Sequence, residues 1–286
     1  MDFKITNTKT GLMLLLSFLG ITRLAVGQEI RTFQDTRIIN GHSVEVEQKG
    51  VLKFIIAHRF GFLNEGFYEL YGLDQSIVRY GLDFGLTERL TIGGGRTSDD
   101  ATKLFDTYVK YKAIDQKRQG SPVTLTLLQN LSVNGSRWLI EELNDYLVNR
   151  LSYNTQILIA SKISDRLSVQ LMPVFSHKNF VLTREESNDL FLLGYGVRFR
   201  VSKTIAIQGE YYQHLIGDMA HERQESLSFG FEFETKGHVF QLHLSNARGM
   251  SESIFLRETR GKWGNGDFGL GFNITRNFQV GKRRTK

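Results

Sequence analysis

Apolar and polar side chains alternate along much of the chain from Lys53 onward. The clearest segment runs from Ile77 to Leu86. Successive residues of a β-strand point to opposite faces, so strict alternation predicts strands with one apolar and one polar face. In this segment the apolar face consists of Val78, Tyr80, Leu82, Phe84 and Leu86. Arg79 and Asp83 lie on the polar face.

The same pattern recurs and predicts twelve strands along the sequence. Their predicted ranges are 51–60, 76–86, 90–98, 104–114, 122–134, 151–162, 167–178, 190–201, 204–214, 226–235, 238–246 and 267–278. Several carry a continuous apolar face rich in Phe, Tyr and Leu. Only two prolines occur in the chain, and frequent glycine and aromatic residues suit a long series of paired strands.

The predicted connections differ in length between the two strand ends. A few residues link the second, sixth, eighth and tenth strands to the next one, and a somewhat longer link, 115–121, follows the fourth. The links after most odd-numbered strands are long: 61–75, 135–150, 179–189, 215–225 and 247–266. Short turns at one end and long loops at the other are typical of outer-membrane barrels. We therefore predict an all-β fold, a transmembrane antiparallel up-and-down β-barrel over residues 50–278, with short periplasmic turns and longer extracellular loops.

A soluble β-sandwich or a lipocalin-like barrel is the alternative fold, with its apolar face packed inward. The polar face is too charged and glycine-rich for an ordinary outer surface, and a sandwich would expose two sheet edges. These observations favour the membrane barrel.

The N-terminal 27 residues have the features of a secretory signal peptide. Lys4 and Lys9 precede an apolar run from Gly11 to Ile21, and small residues follow at Ala25 and Gly27. A single membrane anchor is the alternative, but the run is shorter than the roughly 20 residues that a spanning helix needs. We predict export, a mature chain that starts near Gln28 and a location in the cell outer membrane.

Charged side chains fall mainly on the polar strand faces, which would line the lumen. The candidate lumen-lining residues are Lys53, Arg59, Arg79, Asp83, Asp106, Lys110, Lys112, Arg198, Arg200, Glu210, Glu232 and Glu234. Because both signs are mixed, two interpretations stay open: a filled lumen cross-linked by ion pairs, and a narrow pore with basic and acidic ladders. Residues 28–49 form either a periplasmic extension or a lumen plug, and residues 279–286 form a basic C-terminal tail.

Candidate chemistry is sparse. The chain has no cysteine, which excludes disulfides and thiolate sites, and its seven histidines show no metal-ligand spacing. His243 and Ser245 share one strand face, as in the His-x-Ser strand motif of outer-membrane phospholipases. Leu242 and Leu244 lie on the opposite, apolar face, so His243 and Ser245 are expected to point into the lumen, away from lipid. We expect no catalytic residues, no metal and no cofactor, and the net charge of +6 does not indicate nucleic-acid binding.

The sequence contains four distinctive segments: Gly50 to Gly61, Tyr71 to Ser76, Thr87 to Gly93, and Phe268 to Arg276. Together they resemble a family of outer-membrane β-barrel proteins of unknown function that is common in Bacteroidetes. The resemblance covers most of the mature chain. It implies an outer-membrane barrel and assigns no activity.

The functional expectation is a non-enzymatic barrel that acts as a narrow channel or passive transporter for small polar solutes. The alternative is a structural or partner-binding barrel without conductance, and a lipid hydrolase is the third and weakest hypothesis. The expected partners are the bilayer of the outer membrane and, under the alternative, another envelope protein. The sequence does not determine the oligomeric state.

Overall fold

The computed structural model describes residues 29–98, 103–137, 145–235 and 237–280. The predicted signal peptide, and residues 281–286 of the basic tail, lie outside the described residues. The strands are β1 Val51–Phe62, β2 Ser76–Gly85, β3 Leu90–Ser98, β4 Lys103–Ile114, β5 Thr124–Asn134, β6 Leu151–Lys162, β7 Leu167–Lys178, β8 Asp189–Arg200, β9 Ile205–Ile216, β10 Leu227–Thr235, β11 His238–Ser245 and β12 Gly269–Gln279.

These twelve strands form one closed antiparallel barrel in which each strand pairs with its neighbours in sequence. β12 pairs with β1 from Val51 opposite Gln279 to Phe62 opposite Gly269, which closes the sheet. Closure pairs the backbone N–H and C=O groups of the wall within the sheet, as a strand-based membrane span requires. The predicted barrel is confirmed, with strand ends that differ from the prediction by a few residues.

The alternation of side chains separates the two faces of the barrel wall. On β2, Tyr80 is 53 % and Leu82 is 50 % exposed on the exterior, whereas Arg79 and Asp83 are buried inside. The apolar strand face therefore points outward and the polar face inward, as predicted from the sequence.

The two ends of the barrel differ as well. The short-turn end carries the links after the even-numbered strands together with Gly50 and Val280, which are joined by a backbone hydrogen bond of 2.9 Å. Within the described ranges, the long-loop end carries residues 63–75, 135–137, 145–150, 179–188, 217–226 and 246–268. Short 3-10 helices at this end span Leu63–Glu65, Leu70–Gly72, Leu147–Arg150 and Trp263–Asn265, and one α-helical turn, α1, spans Glu252–Phe255. Within the described ranges, no helix is long and apolar enough to cross a membrane.

Candidate functional site

The segment before β1 folds back into the barrel as a hairpin, here called the lumen hairpin (residues 29–50). It starts at the short-turn end, where Glu29 bridges Lys117 in the link between β4 and β5. It returns to the same end at Gly50, whose N–H donates to the carbonyl of Gly85 at 2.8 Å. Between these points the chain turns back on itself: Arg37 pairs with His42, and the Ile38 N–H donates to the Gly41 carbonyl at 2.8 Å.

The turn of the hairpin is held by one buried carboxylate of the barrel wall. Glu210 of β9 accepts backbone N–H groups from Ile39 at 3.3 Å, Asn40 at 2.7 Å and Gly41 at 3.0 Å. Hydrogen bonds from neutral donors to a charged acceptor are stronger than those between neutral groups. Glu210 therefore fixes the hairpin turn at one position in the lumen.

The Asn40 side chain joins the same turn to other strands of the wall. Its amide nitrogen donates to the Ser228 hydroxyl of β10 at 2.9 Å, and its amide oxygen accepts from Arg59 of β1 at 2.7 Å. Ser228 and its partner Ser245 lie at the long-loop end of β10 and β11. The hairpin thus reaches through the lumen from the short-turn end almost to the opposite mouth.

Nearer the short-turn end, the wall contacts the hairpin through charged side chains. Lys53 of β1 lies between two hairpin carboxylates: it forms an ion pair with Asp35 and another with Glu47 at 2.5 Å. Lys110 of β4 donates to the Thr36 carbonyl at 3.1 Å. All of these side chains are buried, so the hairpin supplies the partners that the wall charges need.

Side-chain amides of the wall form hydrogen bonds with the backbone of the hairpin. Gln170 of β7 accepts from the Val44 N–H at 2.8 Å and donates to the His42 carbonyl at 2.7 Å. Gln241 donates to the Ile38 carbonyl at 2.8 Å, and Asn273 donates to the Ile39 carbonyl at 2.9 Å. These contacts satisfy backbone groups that would otherwise be buried without partners.

An apolar cluster anchors one side of the hairpin. Phe33, Ile38, Ile39 and Val44 are at most 2 % exposed. They belong to the same cluster as inward-facing residues of β6 to β9, namely Leu158, Ala160, Met172, Val174, Leu190, Leu192 and Tyr212. Burying a side chain of this size stabilises by about 1.5–3 kcal/mol, so the hairpin is an integral part of the fold.

A second segment enters the barrel from the opposite end. The inner loop (residues 246–262) follows β11 and folds into the long-loop mouth, where Phe255 and Leu256 join the apolar cluster. Arg257 fastens it to the wall by donating to the carbonyls of Ser176 at 3.1 Å and Asn188 at 2.8 Å. This loop is therefore packed inside the barrel and is not a free surface loop.

The lumen hairpin and the inner loop meet inside the barrel. Glu252 of the inner loop lies 3.4 Å from Arg37 Nη1 and 3.1 Å from His42 Nε2, and all three side chains are buried. Tyr108 of β4 packs edge-on against His42, with ring centroids 4.4 Å apart. One cluster of polar side chains thus joins a segment from each end of the barrel.

One cavity beside the hairpin is small. The cavity between the hairpin and β1, β11 and β12, lined by Asp35, Asn40, Arg59 and Gln241 among others, has a volume of about 10 Å³. That is room for about one water molecule. Of the two interpretations left open by the sequence, the structure describes the filled lumen.

The predicted lumen-lining residues fall into three groups. Those that contact the hairpin are Lys53, Arg59, Asp83, Lys110, Lys112, Glu210 and Glu234. Two pairs join wall to wall, Arg79 with Asp106 at 2.9 Å and Arg198 with Glu232 at 2.7 Å. Arg200 is half-buried at the short-turn end of β8.

The residues predicted from the sequence do not include Asp35 and Glu47 of the hairpin, nor the wall amides Gln170, Gln241 and Asn273. The amides occupy inward positions of predicted strands, so the alternation itself could have identified them. The hairpin has no such periodicity, and its partners lie far away in sequence.

The His243 and Ser245 side chains are buried on the inner face of β11. Ser245 Oγ lies 2.8 Å from the Ser228 hydroxyl, next to the hairpin turn. Within the described ranges, no group of three His, Cys, Asp or Glu side chains could hold a metal ion.

Comparison with known proteins gives a family and a fold. No curated protein matches the chain. Among solved structures, NanC porin aligns with a TM-score of 0.50 at 9 % identity over 80 % of this chain and 100 % of its own. KdgM porin aligns with a TM-score of 0.49 at 9 % identity over 80 % and 99 % of the two chains. Omp33 of Acinetobacter baumannii aligns with a TM-score of 0.42 at 6 % identity over 82 % and 100 %.

The family model described as a membrane-bound beta barrel domain (DUF5777) matches residues 33–278. This match includes most of the lumen hairpin as well as all but the last residue of β12. The filled barrel described above thus belongs to the family of membrane-bound beta barrel domains.

Proposed function

We propose that the protein is a gated outer-membrane barrel, closed at rest by its own lumen hairpin, that passes small polar solutes when the hairpin is withdrawn. In this proposal residues 1–27 direct export into a Bacteroidetes-type envelope. The short-turn end faces the periplasm, and the exterior face of the strands contacts the bilayer. The proposal includes no catalytic step.

The observation that carries the proposal is the polarity of the wall behind the hairpin. Lys53, Lys110, Gln170, Glu210 and Asn273 all point inward and bind the hairpin through hydrogen bonds and ion pairs. Water can replace such partners when the hairpin leaves, because each group keeps a hydrogen-bonding environment. The vacated lumen would be polar where these residues line it, beside the apolar patch of β6 to β9, and suited to small hydrophilic solutes.

The direction of the hairpin supports withdrawal toward the periplasm. Both of its ends lie at the short-turn end, so it can leave the lumen without any strand of the wall separating. The four buried apolar side chains hold it in place at rest. Opening therefore requires external binding energy, for instance from an envelope protein that captures the hairpin.

Truncation tests this proposal. Residues 29–49 are replaced by a Gly/Ser linker, and barrel integrity is checked by heat-modifiable migration on a gel. Folded truncated barrels should conduct in planar bilayers, whereas the intact chain should be closed for most of the recording. Folded truncated barrels without conductance would reject the gated channel.

A permanently closed, partner-binding barrel is the second candidate, and the apolar cluster favours it. Phe33, Ile38 and Val44 tie the hairpin to the wall as firmly as a core segment. Under this hypothesis the truncated chain misfolds or stays closed. The lipid hydrolase has the least support, because Ser245 lies inside the barrel; a Ser245→Ala variant should leave any phospholipid turnover in the preparation unchanged.

A further inference from the structure

The exterior of the barrel carries a groove over strands β2 to β4. Its volume is about 660 Å³, and it lies on the face that contacts lipid. The floor is the backbone around Gly94 and the small side chain of Thr107. Tyr80, Leu82 and Phe105 form walls, and each is 49–53 % exposed.

Cross-strand pairing explains why the surface is depressed here. One row of paired residues across the sheet consists of Phe54, Leu82, Gly94 and Thr107. Because Gly94 has no side chain and that of Thr107 is small, the surface is low at these two residues. The neighbouring row toward the long-loop end contains Tyr80, Arg96 and Phe105. The row on the other side contains Phe84 and Ile92. The groove is thus a dip between two ridges of large side chains.

A cation lies at the long-loop side of this dip. Arg96 is exposed, and its guanidinium lies 5.5 Å from the centre of the Phe105 ring. Within the described part of the chain, no carboxylate forms an ion pair with it. Lys103, also exposed, is the next exterior residue of β4 beyond Phe105 toward the long-loop end. Charges on a lipid-facing surface are costly except where headgroups or water can reach them.

We propose that this groove binds one phosphate-bearing membrane lipid in the leaflet at the long-loop end. The lipid phosphate contacts Arg96, which can present two N–H groups to it, and Lys103 adds a second positive charge. One acyl chain lies in the dip over Gly94 and Thr107, between Tyr80, Leu82 and Phe105. This site does not depend on the gating of the lumen.

Charge favours a lipid over a second copy of the chain as the occupant. In a two-fold dimer the same patch faces itself, so Arg96 and Lys103 of one copy would meet the same cations of the other. A lipid phosphate instead offers the opposite charge. Its acyl chain also fits an apolar dip without needing a complementary protein surface.

Native mass spectrometry of the full-length protein in neutral detergent tests the proposal. Phosphatidylglycerol is titrated against phosphatidylcholine with identical acyl chains, so that the two lipids differ only in the headgroup and only phosphatidylglycerol carries a net negative charge. A basic residue near the lipid surface contributes about 1 kcal/mol, which corresponds to about a five-fold preference for the anionic lipid. Arg96→Gln should remove this five-fold contribution and leave only the preference that the Lys103 charge supports. Thr107→Phe should fill the groove and reduce retention of both lipids.

Two variants at other exterior sites serve as matched controls. Arg276→Gln removes an exposed arginine that lies over Phe278 in the same way, with its guanidinium 5.0 Å from the ring centre, but near the short-turn end. Thr155→Phe adds the same bulk on β6. Both should bind lipid as the wild-type protein does. Equal loss in the controls, no preference for the anionic lipid in the wild-type protein, or a dimer in place of a lipid adduct would overturn the proposal.

Discussion

Arg37 of the lumen hairpin and Glu252 of the inner loop form a buried ion pair inside the barrel, with Nη1 and Oε1 3.4 Å apart. The hairpin comes from the short-turn end and the loop from the long-loop end. This contact is therefore a direct physical link between the two mouths of the barrel, and His42 lies on the same carboxylate at 3.1 Å.

Glu252→Gln removes the charge at this link and leaves Arg37 with a weaker partner. We expect the free energy of unfolding to fall by about 1–3 kcal/mol, because the buried Arg37 guanidinium then faces a neutral amide in place of a carboxylate. This loss should appear as a lower temperature for the heat-modifiable gel transition and as more frequent channel openings. Glu258→Gln is the control, since its ion pair with Lys178 is partly exposed and such pairs contribute at most about 1 kcal/mol. Equal effects of both variants would contradict a special role for Glu252.

The Gly41 position requires a glycine because of a close approach. A Cβ at this position would collide with the hydroxyl oxygen of the buried Tyr212, while the ring carbon that bears the hydroxyl would lie 3.0 Å away. Gly41→Ala should therefore displace the hairpin turn. Displacement is measured as faster labelling of a Ser228→Cys thiol behind the turn.

Adding Tyr212→Phe to Gly41→Ala should restore slow labelling, because it removes the colliding oxygen and keeps the ring. Since the chain has no natural cysteine, the introduced thiol is the only one that reacts. If Gly41→Ala leaves the labelling rate unchanged, the described position of the hairpin turn against Tyr212 is wrong.

Glu210 is predicted to be the main polar anchor of the hairpin turn. Glu210→Gln keeps one amide oxygen for the three N–H donors, whereas Glu210→Ala leaves these donors without an acceptor. An unsatisfied buried donor costs about 1–3 kcal/mol, so the alanine variant should open more often than the glutamine variant. Bilayer recordings of both variants measure this order, and the reverse order would contradict the anchor.

The pair of Arg79 and Asp106 is predicted to stabilise the wall without controlling the hairpin. Asp106→Asn leaves a buried guanidinium without its charge partner and should cost about 3–5 kcal/mol of stability. Replacing both residues, Arg79→Met with Asp106→Leu, should recover much of that loss. Unfolding in denaturant measures the stability of the single and the double variant. A double variant less stable than Asp106→Asn would contradict the predicted role of the pair.

The barrel was predictable from the sequence because the alternation of apolar and polar residues within each strand shows which side chains share a face. Tyr80 and Arg79 point to opposite faces whatever lies beyond them, and the loop lengths distinguish the two ends. The predicted wall charges point inward for the same reason.

The filling of the lumen was not predictable, because alternation reports the direction of a side chain and not what faces it. Asn40 binds Ser228, which lies 188 residues away, and the hairpin that carries Asn40 has no strand periodicity of its own. The inner loop carried a weak signal, since Phe255 and Leu256 are apolar residues within a long link and therefore candidates for burial.

A reversible lock on the hairpin shows whether the hairpin itself keeps the lumen closed. In the Asn40→Cys/Ser228→Cys variant, a disulfide would join the hairpin turn to β10, where the native side chains are 2.9 Å apart. The control, Ser228→Cys/Ser245→Cys, joins two wall strands and leaves the hairpin free. Under applied voltage, gating by the hairpin predicts no openings of the oxidised lock, openings after reduction, and openings of the control in both states. Conductance through the oxidised lock, or no conductance from the reduced lock, would contradict it.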